Sequence, residues 1–348
     1  MIMTLKIFQN ILLLFLINCG NVENSNLDIT TNLKNKMKID ENFVFSINEA
    51  SDSIKVFNRN NLIYNSKNRD KKNIEIDLKN FRLGKNSLKV ISYHKSNIKS
   101  KNIDFIVLND KTPEIYNFKI INTYPHKINA YTQGLEFNNG YLYESTGKYG
   151  KSKLKKVNFK TGESHEEVSL SNKYFAEGIT IMDNKIIQLT WRENTGLIYN
   201  LQTLDLIGDF KYNKSKEGWG LCNDKNKIFK SDGTENIWIL DSNTFDEIDN
   251  FQVYTNKGKV NGLNELEWVN GKIYANRYGF DGVAIINPIN GAVEGVIDLS
   301  SLIEKVQKHE NLDVLNGIAY NNVTKPYLSL EKCGIRYLKL KFLKNKDE

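Results

Sequence analysis

The sequence predicts an all-β protein, a five-bladed β-propeller preceded by a small immunoglobulin-like β-sandwich, and three observations carry that prediction. A short motif returns five times: Tyr131-Thr132-Gln133-Gly134-Leu135, Tyr174-Phe175-Ala176-Glu177-Gly178, Glu217-Gly218-Trp219-Gly220-Leu221, Leu263-Asn264-Glu265-Leu266-Glu267 and Leu315-Asn316-Gly317-Ile318. Gly134, Gly178, Gly220, Leu266 and Gly317 stand 42 to 51 residues apart, the length of a four-stranded blade. Each motif leads into apolar runs separated by residues that accept positive φ, among them Asn139-Gly140, Asp183-Asn184, Asn270-Gly271 and Asn290-Gly291, as tight hairpins require.

In chain order, the N-terminus comes first. Lys6 is followed by an apolar run, 11–17, and then by Cys19. The run is too short to span a bilayer and reads as the hydrophobic part of an export signal. Leu16-Ile17-Asn18-Cys19 is similar to a bacterial lipoprotein cleavage box, with Asn18 an imperfect residue before the cysteine. Residues 1–19 are therefore expected to be a signal peptide, Cys19 to carry lipid, and the protein to lie in the cell envelope, held to a membrane; an ordinary cleaved signal peptide is the alternative. Residues 20–40 are polar and aperiodic, as a flexible tether would be. Over 41–110 the pattern becomes short alternating runs, such as Ile74-Glu75-Ile76-Asp77-Leu78 and Ile103-Asp104-Phe105-Ile106-Val107, which predict the sandwich.

Lys111-Thr112-Pro113 breaks that pattern, so the propeller is expected over 114–345. The run from Ile115 to Tyr124 lies outside the five repeats and is expected to complete the last blade beside the C-terminal strand around Tyr337. The stretch from Ser300 to Glu310 is the one helical candidate, with Leu302, Ile303 and Val306 on one face.

Composition excludes several classes of function. The formal charge of +7 comes from lysines spread over the whole chain without a basic stripe, which argues against nucleic-acid binding. The four histidines, His94, His126, His165 and His309, have no metal-ligand spacing. Cys222 and Cys333 fall in different blades and are read as buried thiols, with a disulfide as the other reading.

From Ile115 to Lys341 the ordered segments resemble the plant and bacterial type of glutaminyl-peptide cyclotransferase. They include the five motifs above and Leu142-Tyr143-Glu144-Ser145-Thr146-Gly147, Leu189-Thr190-Trp191-Arg192-Glu193, Ser231-Asp232-Gly233 and Val314-Leu315-Asn316-Gly317-Ile318-Ala319-Tyr320. The resemblance implies a five-bladed propeller that converts N-terminal glutamine of peptides or proteins to pyroglutamate and releases ammonia. It implies Glu177 as acid/base, Gln133, Asn264 and Lys332 as polar partners, and Phe175, Trp191 and Trp219 as walls. Tyr131 stands where the family usually has Phe and Tyr278 where it has Trp, and Leu330-Glu331-Lys332-Cys333-Gly334 keeps the family's lysine without its usual surroundings. No cofactor is expected for catalysis, although a structural Ca²⁺ in the central channel is compatible with the resemblance, and a monomer is expected.

The chemistry agrees with those assignments. A neutral α-amine must attack the γ-carbonyl carbon while the departing NH₂ gains a proton, and one carboxylate can serve both steps. An aromatic, partly desolvated pocket is expected to raise its pKa toward neutrality. Two other readings stay open: a Ca²⁺-dependent propeller hydrolase using Glu177, Asn264 and Asn316, and a silent propeller that binds peptides or glycans.

Overall fold

The computed structural model describes residues 26–67, 73–302, 309–310, 313–321, 327–331, 334 and 336–344. Cys19, Lys332 and Cys333 lie outside them, as do the signal segment and most of the helical candidate, of which Ser300–Leu302 form a 3₁₀ turn.

Three successive four-stranded antiparallel sheets and one eight-stranded sheet, which holds the fourth and fifth blades, make the propeller. Blade 1 comprises Thr132–Asn138, Tyr141–Thr146, Lys153–Asn158 and Glu163–Ser169; blade 2 comprises Ala176–Met182, Lys185–Thr190, Thr195–Asn200 and Leu206–Lys211. Blade 3 runs through Leu221–Asn223, Lys227–Ser231, Asn236–Asp241 and Glu247–Gln252, and blade 4 through Leu263–Val269, Lys272–Arg277, Gly282–Ile286 and Val293–Asp298. Blade 5 takes Leu315–Tyr320, Tyr327–Glu331 and Arg336–Lys344 from the C-terminal end, and its outer strand, Glu114–Pro125, from the beginning of the propeller. Tyr337 pairs with Tyr124, so the ring closes with first and last strands hydrogen-bonded, as the sequence predicts. Glu114–Pro125 also pairs in parallel with Val293–Asp298, which joins blades 4 and 5 into one eight-stranded sheet.

Alternation puts apolar residues between neighbouring blades. Leu154 and Tyr143 meet Ile179 and Ile186; Ile187 and Leu189 meet Leu221 and Ile228; Phe229 and Ile237 meet Leu266 and Ile273. Val283 and Ile285 meet Ile318 and Leu338, and Ala319 and Tyr337 meet Leu135 and Leu142 across the closure. The turns follow from residue type: Asn139 (φ 47°) with Gly140 (φ 83°), Asp183 (48°) with Asn184 (62°), and Asn270 (48°) with Gly271 (83°) have positive φ at both central positions, the requirement of a type I′ hairpin.

The repeated glycines have a different cause. A Cβ on Gly134 would lie 2.6 Å from Ile179 N, one on Gly178 would lie 2.6 Å from Trp219 O, and one on Gly220 would lie 2.1 Å from Asn264 O. Innermost strands of adjacent blades thus approach backbone to backbone around the channel. Buried and half-buried carboxylates fasten the same region: the half-buried Glu136 accepts from Ile181 N (2.8 Å), the buried Glu265 from Ile318 N (2.9 Å) and Leu135 N (3.3 Å), and the buried Glu267 from Tyr320 N (3.0 Å). Burial pushes the Glu136 carboxyl up to about 8 and those of Glu265 and Glu267 well above the usual carboxylate range.

The N-terminal region forms two sheets. One has the order Ile29–Thr31, Asn42–Ile47, Ile74–Asp77, and the other Lys36–Lys38, Asn97–Leu108, Gly84–His94, Ser53–Asn58, Asn61–Ser66. Phe43 of the first stacks on Phe105 of the second at 5.7 Å. The expectation of a tether over 20–40 is corrected from residue 26 on, where Ile29–Thr31 and Lys36–Lys38 are strands. Leu27, Met37 and Ile39 are buried there, an apolar set too sparse to show against the surrounding Lys and Asn. Among the described residues, 26–32, Val44–Ile76 and Ser87–Ile103 form one compact unit, and Leu33–Phe43, Asp77–Asn86 and those from Asp104 onward form another. That division differs from the expected one at 110–114. Within the second unit Leu83 N bonds Asn290 O (2.8 Å), and the Arg82 guanidinium pairs with Asp249 (2.7 Å).

Candidate active site

The first strands of blades 1, 2, 4 and 5 slip register at the repeated motif: between Thr132 and Gly134, Ala176 and Ile179, Leu263 and Leu266, and Leu315 and Ile318. A bulge re-aims the side chains within it. Gln133, Glu177, Asn264 and Asn316 occupy these four irregularities and are all buried. The fold thus turns polar groups toward the channel at the positions the motif singles out.

Gln133, Glu177 and Asn264 line a cavity of about 310 Å³, at the small end of ligand pockets. Five aromatic residues complete it: Tyr131, Phe175, Trp191, Trp219 and Tyr278. Of the nine pocket residues expected from sequence, eight therefore meet in one place, and the ninth, Lys332, lies outside the described residues. A larger cleft of about 900 Å³ beside blade 1 is lined by Lys127, Lys151, Lys153 and Glu163 and offers solvated charges without convergent chemistry.

Gln133 Nε2 donates to Glu177 Oε1 at 2.7 Å. Asn316 Nδ2 donates to Gln133 Oε1 (3.3 Å) and Thr132 O (3.2 Å), which fixes the direction of the Gln133 amide. Behind the carboxylate, Gln188 Nε2 donates to Ser145 Oγ (2.8 Å), and Ser145 Oγ donates to the Glu177 carbonyl. Asn264 Oδ1 is buried and has no hydrogen-bond partner among the described residues. A buried, unpaired carbonyl oxygen at a pocket wall is costly unless a ligand donates to it.

The walls are seated on glycines and on one another. A Cβ on Gly147 would lie 2.5 Å from the Phe175 ring, and one on Gly233 would lie 2.6 Å from the Trp219 ring. Both motif glycines thus make room for an aromatic side chain. Ring centroids lie 6.3 Å apart for Tyr131–Phe175, 5.5 Å for Phe175–Trp191 and 5.7 Å for Trp219–Tyr278. Tyr278 is 49% exposed and forms the rim, while the Tyr131 hydroxyl donates to Asp313 Oδ2 at 2.7 Å. The substitution of Tyr for the family's Phe is thus matched by an acceptor. The partly buried Tyr131 hydroxyl is pushed well above the ordinary tyrosine range, by burial first and by Asp313 second.

Two residues escaped the sequence reading. Asn316, named there only for the Ca²⁺-dependent alternative, is a fully buried partner of Gln133, and the repeat itself carried the signal, because it occupies the place before the repeated glycine that Gln133 and Glu177 occupy. Glu217, named from the sequence only as the first residue of the third motif and given no role, accepts the indole N–H of both Trp191 and Trp219, at 2.8 Å each. Cys222 is a buried free thiol, raised in pKa by burial.

Comparison with known proteins agrees with this geometry. The sequence model of the glutamine cyclotransferase family matches residues 89–329. The glutaminyl-peptide cyclotransferase of Arabidopsis thaliana is 38% identical over 216 residues, covering 61% of this chain and 67% of that protein. The crystal structure of Myxococcus xanthus glutaminyl cyclase superposes with a TM-score of 0.63 at 32% identity, covering 67% of this chain and 100% of that one.

Proposed function

The chain belongs to the glutamine cyclotransferase family, and we propose that its pocket closes the N-terminal glutamine of peptides into pyroglutamate with Glu177 moving the proton. The reaction is that of a glutaminyl-peptide cyclotransferase, and the observation that carries the residue assignment is the buried Glu177 carboxylate held by Gln133 inside an aromatic cavity. The α-nitrogen attacks the γ-carbonyl carbon and forms the ring C–N bond. Glu177 takes the proton that the nitrogen sheds and delivers it to the side-chain NH₂ as its C–N bond breaks, so ammonia leaves and the carboxylate is regenerated. Acid/base work of this kind contributes about 10²- to 10⁴-fold in rate.

Gln133 Nε2 carries two hydrogens, and the one not given to Glu177 is a donor for the carbonyl oxygen as charge collects there; the Lys332 ammonium is a second donor by family resemblance. Asn264 Oδ1 accepts an N–H of the substrate. The aromatic walls favour the folded-back side chain, in which nucleophile and carbon are already close. Because both reacting groups belong to the substrate, no activated Ser or Cys is required.

The test is purified protein with a Gln-initiated peptide, followed by mass spectrometry with and without EDTA. Loss of one ammonia, unchanged by the chelator, is expected. Abolition of the ammonia loss by EDTA would make the cyclisation metal-dependent and contradict a reaction run by Glu177 alone, and an intact peptide under all conditions would favour a binding protein.

The short apolar run before Cys19 supports export and lipid attachment at that residue. Cys19→Ala is expected to move the protein from the membrane to the soluble fraction; unchanged partition would contradict the anchor.

A further inference from the structure

The aromatic wall consists of two halves, Tyr131–Phe175–Trp191 and Trp219–Tyr278, contributed by different blades and loops. One carboxylate oxygen bonds both. Glu217 Oε2 accepts from Trp191 Nε1 and from Trp219 Nε1, both at 2.8 Å, and Oε1 of the same carboxylate accepts from Arg192 Nε at 3.0 Å. The Arg192 guanidinium in turn lies 3.7 Å over the Trp191 ring.

The backbone under Glu217 is held as firmly as its side chain. Gly218 N donates to Trp191 O (2.9 Å), and a Cβ on Gly218 would lie 2.6 Å from both Thr190 O and the Tyr212 hydroxyl, so the connection between blades 2 and 3 can pass here only as glycine. The buried Lys230 ammonium donates to Glu217 O at 2.8 Å and is itself held by Ser215 and by Glu247 at 3.4 Å. Burial pushes the Glu217 carboxyl up, but the bonds from Trp219, Trp191 and Arg192 outweigh it and keep the group below the usual carboxylate range. It is therefore ionised at neutral pH and able to accept both indoles.

We propose that Glu217 is a positioning residue for the cyclisation, a clamp that sets the spacing of Trp191 and Trp219 and so the width of the slot that receives the glutamine side chain. The inference rests on the assignment of this pocket as the cyclisation site. Glu217 touches no reacting atom; it acts through the indoles. A carboxylate suits the task because one of its oxygens has lone pairs for two N–H donors, which a hydroxyl or a water does not hold in fixed geometry.

The test compares Glu217→Ala and Glu217→Gln with the unmodified protein in steady-state turnover of a Gln-initiated peptide, with acrylamide quenching of tryptophan emission in the substrate-free proteins. Glu217→Ala is expected to lower kcat/KM by about 10-fold or more, chiefly through KM, because uniform binding is lost while the acid/base group remains. Its indoles are expected to become more accessible to quencher. Glu217→Gln keeps one carbonyl oxygen for both indoles and is expected to restore the quenching profile and to recover kcat/KM to within about 3-fold. If Glu217→Ala fails to fold, Glu217→Asp, which withdraws the carboxylate by one methylene, carries the same comparison. Unchanged KM and quenching in the shortened variant, or a glutamine variant as impaired as alanine, would overturn the clamp. Quenching needs no substrate, so it judges the clamp even where turnover shows that the cyclisation site lies elsewhere.

Discussion

Gly220→Ala is expected to destabilise the propeller by about 3 kcal/mol or more, the upper range of overpacking costs. For a domain of this size that corresponds to a melting temperature lower by roughly 6–12 °C. The added methyl would sit 2.1 Å from Asn264 O and 2.8 Å from the Glu265 Cα, and both are backbone atoms of the next blade's innermost strand. A flexible side chain would yield at little cost; a strand bonded on its other side to Lys272–Arg277 will not. The same strand carries Asn264 into the pocket, so the substitution is also expected to lower activity in whatever fraction folds. Gly258→Ala is the control, because a Cβ there meets nothing within 4 Å, and its melting temperature is expected to match that of the parent. Equal melting temperatures for the two variants would contradict the close-approach account of the repeated glycines.

Those glycines also show why so much of the fold was legible in the sequence. Gly134, Gly178 and Gly220 recur because the junctions of blades 1 and 2, 2 and 3, and 3 and 4 meet the same crowding, and a repeated physical constraint leaves a repeated residue. Asn139-Gly140 and Asn270-Gly271 were legible for a similar reason, since few residues accept two consecutive positive φ angles. The repeat singled out the positions of Gln133, Glu177 and Asn264, where the strands prove to be bulged, while their roles and the five aromatic residues came from family resemblance. Glu217 was not legible. Its role depends on two indole N–H groups converging on one oxygen from separate loops, and no spacing in the chain encodes that convergence. The strands at Ile29–Thr31 and Lys36–Lys38 were missed because three-residue strands carry too little alternation to stand out from a Lys- and Asn-rich stretch.

The most direct measurement of the central claim is the turnover and peptide binding of Glu177→Gln. Glutamine keeps the size of the side chain and its reach to Gln133, whose Nε2 now donates to Glu177 Oε1 at 2.7 Å and would donate equally to an amide oxygen. What the substitution removes is the group that exchanges a proton with the attacking amine and the leaving NH₂. Binding of a Gln-initiated peptide should therefore remain within a few-fold of the parent, while kcat falls by at least about 10²-fold, the low end of what a positioned acid/base contributes. Near-parental kcat with intact binding would contradict the account, because the proton would then be moved by some other group.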